Sequence, residues 1–167
     1  AVLYAEAGIS DGSGTDGITD GRFVKELEKL RKDENVKAVV LRVNSPGGSA
    51  SASEHIWKAV ADLKKEKPIV VSMGDYAASG GYYISCNASK IIAQPNTLTG
   101  SIGIFGMFPN FKGLMTDKVG LTFDVVKTNE FADFGNGMRA MNDKEKALLQ
   151  AYINQGYDLF LTRCADG

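Results

Sequence analysis

The chain has 167 residues, 44% of them hydrophobic and 23% charged, which is enough apolar material for one packed domain and too much for a disordered segment. Nineteen basic residues against 20 acidic ones leave a net charge of −1, so composition offers no basic surface for nucleic acid or an anionic membrane. Cys86 and Cys164 stand far apart and form no C-x-x-C pair, which argues against a zinc site or a redox motif and leaves two idle thiols or one disulfide open.

Val2, Leu3 and Tyr4 open a strand. The following 8-GISDGSGTDGITDG-21 reads as a mobile loop, and it lacks the spacing of a phosphate-binding loop. From Arg22 to Lys32 the pattern is helical, with Phe23, Leu27 and Leu30 on one face. The β-branched run 37-KAVVLRV-43 predicts a buried strand, which ends in the sharp loop 44-NSPGGSA-50. A helix with Ile56, Val60 and Leu63 as its stripe follows, then a second buried strand, 68-PIVVSM-73. After it come the loop 74–81, a helix from about Gly80 to Ala88, a strand at 90–94 and the segment 97-TLTGSIGIFG-106.

Phe111 to Val119 predicts a short helix, and 122-TFDVVK-127 alternates as a strand. Asn142 with Glu145 forms a capping-box start for the longest helix, whose core side would be Leu148, Leu149, Tyr152, Ile153, Leu159 and Phe160. Strands alternating with helices indicate an α/β fold with a mainly parallel sheet, organised as a single domain over 1–167. No run of roughly 18–20 apolar residues is present to span a membrane. AVLYAEAGIS has no signal-peptide pattern and begins like a strand already under way, so the expectation is a piece of a longer protein whose anchor lies elsewhere.

Two glycine-rich loops follow buried strands, and in parallel sheets functional loops sit at the carboxyl ends of strands. Ser79 lies in 74-GDYAASGGYYIS-85, crowded by Ala and Gly. Acyl transfer to a serine needs a base and well-aimed N–H donors for the oxyanion. Ser79 can attack, and the bare amides of Gly48 and Gly80, the second at a helix N-terminus, can hold the negative charge. Either loop alone is better explained by turn chemistry or tight packing; the pair, each following a buried strand, favours catalysis. For the base, the lone His55 with an acid such as Asp75 would complete a triad, but it sits on a polar helix face. Lys127, at a strand end, is the other candidate, against a plain solvated lysine. No residue pattern asks for a metal or an organic cofactor.

The segments 44-NSPGGS-49, 74-GDYAASGGYYIS-85 and 97-TLTGSIGIFG-106, in this order and spacing, resemble the signal peptide peptidase A family, also called protease IV, across essentially the whole chain. The resemblance implies a Clp-protease/crotonase-like spiral of β-β-α units. It implies a membrane-tethered serine endopeptidase on the outer face of the bacterial inner membrane, which degrades cleaved signal peptides and other hydrophobic peptides as a homo-oligomer. It further implies Ser79 as nucleophile, Gly48 and Gly80 as the oxyanion hole, and Ser101 as the serine that orients a lysine base. Short members carry that lysine just before an aspartate, where this chain has Ala132. The chain therefore resembles the C-terminal, serine-bearing repeat of long members, whose N-terminal repeat supplies the lysine. Two readings compete: a crotonase-type acyl-CoA enzyme using only the oxyanion amides, and a non-catalytic assembly repeat.

Overall fold

The computed structural model describes residues 1–167. The chain divides into two compact units, Ala1–Gly103 with Tyr157–Gly167, and Ile104–Gly156.

The first unit contains seven strands and three complete helices. They are β1 (Val2–Glu6), β2 (Ile9–Ser10), β3 (Ile18–Thr19), α1 (Asp20–Lys32), β4 (Val39–Ser45), α2 (Ala50–Lys64), β5 (Ile69–Ala78), α3 (Gly80–Tyr83), β6 (Lys90–Ile92) and β7 (Leu98–Gly100). The main sheet is parallel throughout, in the order β1-β4-β5-β6, and β7 pairs the last three residues of β5. Alternation along β4 buries Val39, Leu41 and Val43 completely, and β5 adds Ile69 and Val71. Phe23 and Leu27 of α1 and Ile56, Val60 and Leu63 of α2 close over them. Each such side chain contributes about 1.5–3 kcal/mol by leaving water. Ser49 caps α2, its Oγ accepting the amide of Ala52 at 3.2 Å.

Three expectations for this unit need correction. The segment 8–21 is not a free loop: Ile9 and Ile18 are buried, β2 pairs β3, and Arg22 holds the carbonyls of Thr15 and Gly17. The second strand does not end at Met73 but runs on to Ala78, because β7 offers Tyr76, Ala77 and Ala78 a ladder. The helix expected to reach Ala88 stops at Tyr83. Beyond it Ser85 Oγ donates to the Gly81 carbonyl at 2.6 Å, and Ser, Cys and Asn are poor at prolonging a helix.

The second unit has less regular structure. A π-helical turn, Leu114–Lys118, replaces the helix expected over Phe111–Val119, and Thr116 Oγ1 bonds back to the Lys112 carbonyl at 2.9 Å. Residues 122–127 form no strand. Alternation makes a strand only where a ladder partner exists, and here Phe123, Val125 and Val126 are exposed. The last helix, α4 (Asp143–Asp166), begins as expected: the Asn142 amide donates to Glu145 Oε2 at 2.8 Å and the Glu145 amide to Asn142 Oδ1 at 2.9 Å. Its supposed core residues are mostly not core. Leu148, Tyr152 and Leu159 are exposed, and only Phe160 is fully buried. Leu148, Leu149 and Tyr152 instead line an open groove of 410 Å³ with Phe108, Phe131 and Phe134.

Glu145 is fully buried and pairs with Arg139, which also grips Asp133. The guanidinium and the Asn142 amide draw Glu145 down to about 2, and Arg139 holds Asp133 well below the usual carboxylate range. A depressed folded pKa gives stability that is present above the unfolded value, 4.5 for Glu145, and lost as pH falls through the folded one. Circular dichroism melts should therefore lose temperature steeply between that value and about pH 2. Arg139→Met should flatten the dependence, and an unchanged slope in that variant would refute this origin.

Candidate active site

A bulge in the sheet builds the site. Val43 pairs with Met73 but Ser45 pairs with Ala77, so β5 takes four steps where β4 takes two. Asn44 Oδ1 fills the gap by accepting the Tyr76 amide at 3.0 Å. The extra residues carry Ala77, Ala78 and Ser79 up against the turn after β4. A Cβ on Gly47 would lie 2.6 Å from the Gly80 nitrogen and 2.8 Å from Ser79 Cβ, so only glycine lets the two loops meet this closely.

Ser79 occupies the strand-to-helix corner with φ 51° and ψ −120°. This left-handed conformation costs a non-glycine residue about 1–3 kcal/mol, and such strain gathers at functional turns. Its hydroxyl makes no capping bond and the residue is half-buried. Its amide donates to the Gly100 carbonyl at 2.8 Å, one rung beyond the Ala78–Gly100 pair. Ser101, the next residue, shares the unusual backbone with φ 52° and is exposed. The ladder thus brings Ser79 and Ser101 together.

Gly48 forms a parallel bridge with Ile9, in which the Gly47 carbonyl and the Ser49 amide bond Ile9. That pattern turns the Gly48 N–H away from Ile9, and it has no acceptor within the chain; neither has the amide of Gly80. A Cβ on Gly80 would fall 3.2 Å from the Gly48 nitrogen, so both free donors lie beside the same corner. The expected contribution from a helix N-terminus shrinks, because α3 is a single turn. What remains is local: two unpaired amides beside a strained serine, an arrangement able to stabilise an oxyanion.

Each candidate base is engaged by a carboxylate of its own unit. His55 is exposed and its Nδ1 is 2.7 Å from Asp20 Oδ2, not Asp75. The contact draws Asp20 below its ordinary value. In the full-length protein, His55→Ala should leave peptide cleavage nearly unchanged, since an exposed pair is worth about 0.2–1 kcal/mol. A loss of about a thousandfold, as triad removal produces, would restore the histidine reading. Lys127 donates to Asp133 Oδ1 at 3.1 Å within the second unit. Ala132 is exposed, adjoins Asp133 and offers nothing that titrates.

Three residues that shape the site escaped the sequence reading. Asn44 patches the bulge. Ser53, 1% exposed, puts its Oγ 2.5 Å from where a Gly80 Cβ would be. Thr99 Oγ1 donates to the Ala77 carbonyl at 2.9 Å. Asn44 at least ends the mainly apolar run 39–43; nothing in the sequence around Ser53 or Thr99 marks them.

Residues 61–167 match the model of peptidase family S49, and residues 1–99 match that of Clp protease, in keeping with the parallel α/β architecture. The chain is 44% identical to Protease 4 of Salmonella typhi over 99% of its length and 45% identical to Protease 4 of Haemophilus influenzae over 100%. It spans 27% of each of those proteins. It is 33% identical to the chloroplastic serine protease SPPA of Arabidopsis thaliana over 99% of its length and covers 25% of that protein.

Proposed function

This chain belongs to peptidase family S49, and we propose that it is the nucleophile-bearing part of a larger serine endopeptidase. Ser79 attacks the scissile carbonyl of a hydrophobic peptide, such as a cleaved signal peptide. The amides of Gly48 and Gly80 receive the oxyanion. A lysine from another repeat of the same protein takes the Ser79 proton, and Ser101 orients that lysine. The observation that carries this reading is the strained Ser79 corner with two unpaired amides beside it and Ser101 one rung away.

The exposed Phe105, Met107 and Val126 and the phenylalanine-lined groove of the second unit support both a preference for apolar peptides and assembly with further copies. No helix here is long and apolar enough to cross a membrane, so tethering to the outer face of the inner membrane would come from another segment.

A fluorophosphonate probe tests the reading. In the full-length protein, intact-mass and peptide analysis should place one adduct on Ser79 and none in Ser79→Ala. Turnover of an acyl-CoA without any adduct would favour the crotonase-type chemistry, and neither adduct nor turnover would favour a purely structural repeat.

A further inference from the structure

The last turns of α4 dock on the segment behind α3. Phe160 is buried with its ring centroid 4.6 Å from that of Tyr83. Arg163 Nη2 reaches Glu54 Oε1 at 2.6 Å, and its guanidinium lies 3.9 Å over the Trp57 ring. Cys86 Sγ lies 3.4 Å from the Arg163 carbonyl oxygen and 3.2 Å from that of Tyr83. Cys164, the next residue, packs against the same cluster of Trp57, Tyr83, Cys86 and Phe160. Both cysteines are free, Cys86 buried and Cys164 half-buried.

We propose that Cys86 and Cys164 are a modification site, which a small disulfide oxidant such as oxidised glutathione converts to one intrachain disulfide tying the end of α4 to the turn after α3. The order of events follows from exposure and acidity. Burial pushes the Cys86 thiol up to about 12, with the neighbouring Cys164 adding to the rise and the Trp57 indole opposing it. Cys164 is raised less and is reachable. The Cys164 thiolate therefore attacks one sulfur of the oxidant, whose S–S bond breaks; the first glutathione thiolate leaves and takes up a proton. Cys86 then gives its proton to solvent and attacks the Cys164 sulfur, expelling the second glutathione. Two protein thiols lose two hydrogens, and the oxidant gains them as two thiols.

The bridge would close a loop holding β6, β7 and the whole second unit. A loop of that length restrains the unfolded chain strongly, so the melting temperature should rise by about 5–10 °C.

The experiment treats the full-length protein with oxidised glutathione, blocks remaining thiols with an alkylating reagent, and maps peptides without reduction. The expected result is a Cys86–Cys164 linked peptide, reversed by dithiothreitol, with the melting temperature raised only in the oxidised form. Cys86→Ser should stop at a glutathione adduct on Cys164, and Cys164→Ser should react at least about tenfold more slowly, in line with its residual thiol's burial. Both cysteines recovered alkylated after oxidation, a link only between separate chains, or equal reactivity of the two variants would overturn the proposal. The map on the unsubstituted protein decides the question even where a variant folds poorly.

Discussion

Purified as an isolated chain, residues 1–167 should cleave no hydrophobic peptide at a measurable rate, and supplying a lysine-bearing repeat should recover turnover that Ser79→Ala abolishes. Ser79, the proposed nucleophile, is in place, but its hydroxyl is bonded to no base. His55 is engaged with Asp20, Lys127 with Asp133, and Ala132 ends in a methyl group. A serine hydroxyl without a positioned base stays protonated, and general-base assistance is worth about 10²–10⁴-fold. Ser79→Ala in the recovered enzyme should cost at least about a thousandfold, leaving only what binding and the oxyanion donors provide. The assay is hydrolysis of an apolar peptide amide by the chain alone, by the chain with the repeat, and by both with Ser79→Ala. Robust cleavage by the isolated chain that vanishes in Ser79→Ala would show that a base exists within these residues.

On the proposed reading, Gly80→Ala in the full-length protein should lower kcat by up to about 10²–10³-fold, the effect of losing one oxyanion donor, because the added Cβ displaces the Gly48 amide even though the Gly80 amide itself is retained. The new Cβ would stand 2.5 Å from Ser53 Oγ and 3.2 Å from the Gly48 nitrogen, so it collides with buried packing on one side and leans on the second donor on the other. The two effects separate in a double variant. Adding Ser53→Ala removes the hydroxyl and should return much of the lost thermal stability. It should return little of the activity, because the crowding of Gly48 persists. Full recovery of kcat in the double variant would mean that Gly80 matters for packing alone.

Where a residue's fate depends on neighbours close in sequence, it was legible. The apolar stripes of α1 and α2, the buried runs of β4 and β5 and the reciprocal Asn142–Glu145 cap all follow from spacing and side-chain chemistry. So did the meeting of the 44–50 and 74–81 loops, since adjacent parallel strands present their carboxyl ends together. Legibility failed where a distant partner decides. Residues 76–78 became strand because β7 pairs them, and 122–127 did not because nothing does. The bulge opposite Asn44 depends on one side-chain carbonyl oxygen that no periodicity announces. Ser101 looked like ordinary loop until the family resemblance singled it out, because its nearness to Ser79 is a matter of register between strands.

That register also has an entropic consequence. Ala78 faces Gly100 in the ladder and the Ser79 amide is bonded to the Gly100 carbonyl, so the backbones of Ser79 and Ser101 are held at the end of the β5–β7 ladder. Folding has already removed their freedom to drift apart, and no further ordering of one against the other is required when a substrate arrives. Well-oriented groups of this kind reach effective molarities of about 10⁵–10⁸ M. In the proposed mechanism the lysine amine then has only to dock at this edge, and the translational cost of assembling three groups is reduced to that of docking one.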